Sequence, residues 1–300
     1  MYFATIFEQD EEKLIVADKT KTKIFYLDKL CADFGIQPFF DMVDFINEQD
    51  DELIKKISDE INSDRKPDIT DISQLNFAAA IPYPLRNVIC LGKNYKDHVA
   101  EVNAAFGSNK PDPKAPIYFS KAAMYASGPN DEISVYSEVT SQVDYEVELI
   151  AIIGKPALNV AKDEAEDYIF GYAVGHDFSV RDIQSERKQW LFGKSFDGHF
   201  AMGAWIAHKS IIPFPVELEI SLKVNGEIRQ QSNTKNMIFD IPTTISDLTR
   251  GMTLYPADMI MTGTPSGVGM GRNPQEFLKP GDVLTASIEG IETFDVTMCD

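Results

Sequence analysis

The chain has 300 residues, 44% hydrophobic and 25% charged, ordinary for a globular protein and enough for one large core with a smaller one appended. It carries 47 Asp and Glu against 28 Lys and Arg, a formal charge of −19, which argues against nucleic acid or an anionic membrane as a partner. No apolar run is long enough for a bilayer, the first residues lack a signal-peptide pattern, and three scattered cysteines form no CxxC pair; the expectation is a cytoplasmic protein without disulfides or a thiolate zinc site.

Residues 1–80 are expected to form a small N-terminal α+β domain. Positions 2–7 and 13–16 predict short strands, and 39–46 and 51–61 predict helices with acidic polar faces. The run NSDRKPD at 62–68 reads as a linker, and Ile81-Pro-Tyr-Pro84 as the passage into a second unit, residues 81–300. There, 88–91 predict a buried strand and 96–102 a helix. Gly, Pro, Asn and Ser crowd into 103–116 (NAAFGSNKPDPKAP), which predicts a mobile loop.

Next comes Val143-Asp-Tyr-Glu-Val-Glu-Leu149, running into Ile150-Ala-Ile-Ile153. Alternate residues of a strand share a face, so Asp144, Glu146 and Glu148 line up, with like charges roughly 6–7 Å apart. Either water screens them or a cation sits among them. About thirty residues on, 171–177 (GYAVGHD) predicts another strand, ending in Asp177. Glu146, Glu148 and Asp177 together would make an oxygen-only site suited to Mg²⁺ or Mn²⁺. Alone, the Glu pair reads first as a solvated acidic strand face. Asp144, at the strand entrance, is expected to be a solvated or turn residue and is left out of the site.

Further on, alternation at Leu218, Ile220, Leu222 and Val224 leads into Asn225-Gly226, a hairpin signal. A helix around 246–249, opened by Pro242, precedes strands around 258–261 and 283–288. Strands dominate, so the expected class is α+β and β-rich rather than a doubly wound sheet.

His98 and Glu101, three apart in Asn94-Tyr-Lys-Asp-His98-Val-Ala-Glu101, would share a helix face, where the carboxylate can orient the imidazole as a base. An incidental surface pair is the plainer reading. His176 falls inside a strand and is expected to be structural, and His199 and His208 have no carboxylate partner in sequence. After Asp177, Arg181 and Gln184 would share a helical turn and could bind a substrate carboxylate or carbonyl. Lys194 sits among aromatics and glycines, which suits a placed cation. Thr262-Gly-Thr-Pro-Ser-Gly-Val-Gly269 lacks the Lys of a P-loop; its N–H groups and the Thr264 hydroxyl could cradle a carboxylate, or it is an ordinary tight loop.

In order, NYKDHVAE, VDYEVEL, GYAVGHDFSVRDIQ, GKSFDG and GTPSGVG resemble the fumarylacetoacetate hydrolase family, over roughly residues 86–300. The resemblance implies a β-rich roll and a homodimer or larger assembly. It implies Glu146, Glu148 and Asp177 as ligands of Mg²⁺ or Mn²⁺, and His98 and Glu101 as a water-activating dyad. Lys194 would polarise or orient the substrate, with Arg181, Gln184 and Thr264 in supporting contacts and the 103–116 loop as a lid. Implied substrates are 2-oxo and 1,3-diketo acids. C–C hydrolysis of an acylpyruvate and decarboxylation of oxaloacetate compete, with isomerisation or tautomerisation of hydroxymuconate-type dienoates behind them. A reading from another class is a metal-dependent organic-acid binding protein without turnover.

Overall fold

The computed structural model describes residues 1–300 apart from Asp10 and Phe106. Phe106, part of the expected 103–116 loop, therefore lies outside the described residues. Strands β1 (Tyr2–Glu8), β2 (Glu11–Ala17) and β3 (Ile24–Tyr26) precede helices α1 (Leu27–Asp33), α2 (Met42–Glu48) and α3 (Asp51–Ile61). Then come β4 (Val88–Gly92), α4 (Lys96–Ala105), β5 (Ile117–Lys121), β6 (Glu132–Ser134), β7 (Val143–Asp144), β8 (Val147–Ile153) and β9 (Ile169–Asp177). The middle of the chain continues with β10 (Ser179–Val180), α5 (Arg181–Glu186), α6 (Leu191–Lys194), β11 (Phe200–Met202) and β12 (Trp205–His208). Last are β13 (Glu219–Val224), β14 (Glu227–Asn233), α7 (Ile241–Leu248), β15 (Met259–Met261), β16 (Val283–Ile288) and β17 (Glu292–Cys299).

Local chemistry explains the helix starts. Asp41, Asp50 and Asp240 each accept a hydrogen bond from an N–H in the first turn of α2, α3 and α7. On α3, Leu53, Ile57 and Ile61 recur every four residues and form the buried stripe. Asn225 and Gly226 both adopt positive φ between β13 and β14, as the two-residue hairpin turn requires. Helix α4 runs to Ala105, three residues past the expected 96–102, because Asn103 and two alanines continue the turn before Gly107 stops it.

The large sheet has the order β3-β2-β1-β12-β9-β8-β15-β4-β5, with β11 also paired to β9. The N-terminal strands thus continue the same sheet through β1 and β12. A second sheet, β14-β13-β16-β17-β6, packs against it. Strand β8 is buried along its whole length and serves both faces. Val147, Leu149, Ala151 and Ile153 face a core shared with Leu222, Leu284 and Val296 of the second sheet. Ile150 and Ile152 join another core with Phe3, Phe45 and Phe170 under the N-terminal helices. The chain is an α+β, β-rich fold, as expected, and no described helix is long and apolar enough to cross a membrane.

Candidate active site

By parity along β8, Glu148 lies on the face of Ile150 and Ile152, away from the second sheet. On the neighbouring β9, Gly175 stands opposite Glu148, and the Asp177 N–H donates to the Glu146 carbonyl at 2.9 Å. This pairing brings Glu146, Glu148 and Asp177 together, all buried, with one oxygen from each inside a group no more than 4.8 Å across.

Three buried cations surround the triad. Lys194 Nζ donates to Glu146 Oε2 at 2.7 Å and to Asp177 Oδ2 at 2.6 Å. Lys121 Nζ donates to Asp177 Oδ1 at 2.6 Å and to the Phe178 carbonyl at 3.1 Å. Arg181 donates from Nη2 to Glu146 Oε1 at 2.6 Å, from Nε to Asp144 Oδ2 at 2.8 Å and from Nη1 to Gln184 Oε1 at 3.0 Å. Burial alone would raise the Glu146 carboxyl, but Lys194 and Arg181 hold it below the usual carboxylate range. Burial alone would lower the Lys194 ammonium, yet Asp177 and Glu146 keep it above its ordinary value. Among the described residues no Lys or Arg pairs directly with Glu148: burial, then the charges of Asp177 and Glu146, push its carboxyl well above normal, against the opposing pull of Lys194. Its hydrogen-bond donor among the described residues is the Gly263 N–H, at 2.7 Å.

Asp144 corrects the expectation of a solvated or turn residue. It is fully buried and accepts from Arg181 Nε, from the Gly269 N–H at 2.6 Å and from the Met270 N–H at 3.1 Å. Residues 145–146 separate β7 from β8, and Val143, Tyr145, Val147 and Leu149 share one core on the opposite side. Asp144 instead holds Arg181 against Glu146. Among the described residues, four buried carboxylates (Asp144, Glu146, Glu148, Asp177) thus face three buried cations, and the one without a direct ion pair is Glu148. An all-oxygen, buried, net-negative donor set fits a hard divalent cation.

His98 and Glu101 meet on α4 as expected, with His98 Nδ1 3.2 Å from Glu101 Oε2. Asn94, just before the helix, pins it by accepting from the Phe239 N–H at 2.8 Å and donating to the Thr262 carbonyl at 2.8 Å. The glycine-rich loop then closes on the site from the other side. Its Gly267 N–H donates to Glu101 Oε1 at 2.9 Å, alongside the Gly263 bond to Glu148 and the Gly269 bond to Asp144. These N–H groups are engaged by the protein's own carboxylates rather than free for a substrate carboxylate. The Thr264 hydroxyl donates to the Val147 carbonyl at 2.9 Å and accepts from Gln230 Nε2 at 2.8 Å.

A cavity of about 480 Å³ opens over the group, and its walls include His98, Glu146, Glu148, Arg181, Lys194 and Thr264. Gln184 lines it as well, while Arg181 has three N–H donors engaged inside the protein and two left over. Of the four histidines, only His98 lines the cavity among the described residues. His176 lies between the two sheets, stacked on Phe178 at 5.1 Å. Sequence reasoning missed Lys121 and Gln230. Lys121 ends a short strand with no neighbouring pattern, and Gln230 reaches the site from β14 only through tertiary packing. For Asp144 the signal was present, in the alternation with Glu146 and Glu148.

Residues 87–298 match the family profile described as fumarylacetoacetate (FAA) hydrolase C-terminal. The oxaloacetate tautomerase YisK of Bacillus subtilis (strain 168) is 39% identical over 95% of this chain and 92% of its own. The mitochondrial oxaloacetate tautomerase Fahd2a of Rattus norvegicus is 43% identical over 72% of this chain and 67% of its own. Among solved structures, a fumarylacetoacetate hydrolase from psychrophilic Exiguobacterium antarcticum superposes with a TM-score of 0.82 at 31% identity, covering 100% of this chain and 99% of that one.

Proposed function

Because the chain belongs to the fumarylacetoacetate hydrolase family and is an enzyme, we propose that it interconverts the keto and enol forms of oxaloacetate or a closely related 2-oxo acid, with Mg²⁺ or Mn²⁺ held by Glu146, Glu148 and Asp177. The observation that carries this reading is that Glu146 and Glu148 of the buried three-carboxylate cluster line one cavity together with His98, a histidine held by the Glu101 carboxylate. A divalent cation bound there would hold the 2-oxo carboxylate and polarise the adjacent carbonyl.

The chain's own residues supply the proton traffic. Glu101 accepts from His98 Nδ1–H and so leaves Nε2 as the basic nitrogen. Nε2 takes a proton from C3 of the keto acid, the C–H electron pair becomes the C2=C3 double bond, and the carbonyl oxygen gains negative charge. The Lys194 ammonium, kept protonated by Asp177 and Glu146, faces that charge. Arg181, Gln184 and Thr264 take supporting contacts. The enolate oxygen then takes a proton from solvent water to give the enol, and the His98 imidazolium returns its proton to solvent; in the reverse direction the enol loses its oxygen-bound proton to solvent and the His98 imidazolium protonates C3. Replacing His98 with Ala should slow exchange of the oxaloacetate C3 protons for deuterium by about 100-fold or more, read by NMR. Unchanged exchange would remove the assigned role.

A second reading uses the same groups on water. His98 could deprotonate a water that attacks the distal carbonyl of an acylpyruvate, and the solved Exiguobacterium neighbour, named a fumarylacetoacetate hydrolase, favours keeping it. Loss of CO₂ from oxaloacetate would leave the same enolic product and need no water. Cleavage of acetylpyruvate faster than C3 exchange on oxaloacetate would put hydrolysis first.

A further inference from the structure

The cavity extends beyond the carboxylate cluster to a rim that the proposed reaction leaves unused. Five of its lining residues carry positive charge: Lys93, Lys110, Arg181, Arg187 and Lys194. Arg181 and Lys194 are committed to the buried carboxylates, and Arg187 pairs with Glu186 at 3.0 Å. Lys93 and Lys110 have no ion-pair partner among the described residues, in a chain with 19 more acidic than basic residues. Burial and then the Lys110 charge lower the Lys93 ammonium below its ordinary value.

Lys93 is held in place by its surroundings, and Lys110, an exposed residue, is tied through its backbone. Lys93 is half-buried with φ of +57°, a left-handed conformation that costs a non-glycine residue energy and persists only when its surroundings impose it. The residue before it, Gly92, is covered by Trp190: a Cβ there would come within 2.4 Å of the indole, so the chain and the ring press together beside Lys93. Lys110 is tied to the helix that bears His98. Asn103, near the end of α4, donates from Nδ2 to the Lys110 carbonyl at 2.7 Å and accepts from the Ser108 hydroxyl at 2.7 Å, and its carbonyl accepts from the Ser108 N–H at 2.8 Å.

Two unpartnered ammonium groups at one rim repel unless an anion lies between them. Lys93 and Lys110 line the same cavity as Glu146 and Glu148, so a molecule anchored at the carboxylates could present a second anionic group to them. We propose that Lys93 and Lys110 form a subsite for the second carboxylate of a 2-oxo diacid, selecting diacids over monoacids. This rests on the metal-anchored reading above, which places the 2-oxo end of the substrate.

The test uses the Mg²⁺-loaded full chain and calorimetric titration with 2-oxoglutarate and 2-oxopentanoate, which share a five-carbon chain and differ in the terminal carboxylate. The wild type should bind 2-oxoglutarate at least tenfold more tightly, with the preference shrinking as salt is raised. Lys93→Met should cut that preference at least fivefold, and Lys93→Met combined with Lys110→Met should abolish it. Affinity for 2-oxopentanoate should stay within about twofold, and Lys93→Arg should restore most of the preference, which a folding defect would not do. A preference untouched by both substitutions, or none in the wild type, overturns the subsite alone. Failure of both acids to bind the loaded wild type overturns the metal-anchored reading and the subsite with it.

Discussion

At the scale of single residues, the buried charges around Glu146 act as one unit. Arg181 touches Asp144, Glu146 and Gln184 at once, so its position depends in part on Asp144, which does not line the cavity. Removing one member of a buried pair leaves the other charge uncompensated, at a cost of roughly 3–5 kcal/mol. Asp144→Ala should therefore destabilise the protein by about that amount in denaturant titrations, although Asp144 is no ligand in the proposed site. It should also weaken Mg²⁺ binding, because the freed guanidinium loses its anchor. A loss below about 1 kcal/mol would show that Arg181 is held by Glu146 alone. Lys121 belongs to the same unit, with Asp177 Oδ1 as its partner.

At the scale of elements, the site is a meeting of two central strands, one helix and one loop. The strands were legible, because the unbroken apolar run at 150–153 and the stretch at 171–177 fit buried strands, the second of which begins two residues earlier, at Ile169. So was the hairpin, since Asn225-Gly226 demands one kind of turn. Helix α4 was legible except at its end, where turn-forming residues beyond Gly107 outweighed the helix-compatible Asn103-Ala-Ala105. The role of the loop after β15 was not. Its glycines looked like a cradle for a ligand, and nothing local to them says that Glu101, Glu148 and Asp144 arrive to take their N–H groups. Such partners lie 115 to 166 residues away, and only the folded chain selects them. Gly271 shows how closely the loop approaches: a Cβ there would meet the Glu101 carboxyl carbon at 2.3 Å. Gly271→Ala should displace Glu101 from His98 and lower kcat on oxaloacetate by about 10- to 100-fold. Mg²⁺ affinity should be unaffected, since Glu146, Glu148 and Asp177 do not touch that residue; a parallel loss of Mg²⁺ binding would contradict the separation.

At the scale of the whole molecule, the two sheets meet over a core that encloses His176. Its ring is fully buried between Phe178 and Phe294, with no hydrogen-bond partner for either nitrogen among the described residues. Burial pushes this imidazole down to about 3 from an ordinary 6.5. The folded protein thus binds fewer protons than the unfolded chain in that window. The associated stability is full above about pH 6.5 and is lost as pH falls toward 3, by about 1.4 kcal/mol per pH unit once the unfolded imidazole is protonated. His176→Phe removes the titrating group from an aromatic setting. The stability difference between variant and wild type should grow in the variant's favour from pH 6.5 to pH 4.5, measured by denaturant titration. A difference independent of pH would mean that water reaches this ring.

The central claim joins the acidic triad to the proton chemistry at His98. It is tested most directly by following the ultraviolet absorbance of enol-oxaloacetate as it decays to the keto form, with the protein loaded with Mg²⁺ or Mn²⁺, stripped by a chelator, and reloaded. The account predicts acceleration by the loaded protein, its loss on stripping, and its return on reloading, while Glu148→Gln stays slow throughout. Acceleration that survives complete removal of the cation, or none from the loaded protein, would contradict it.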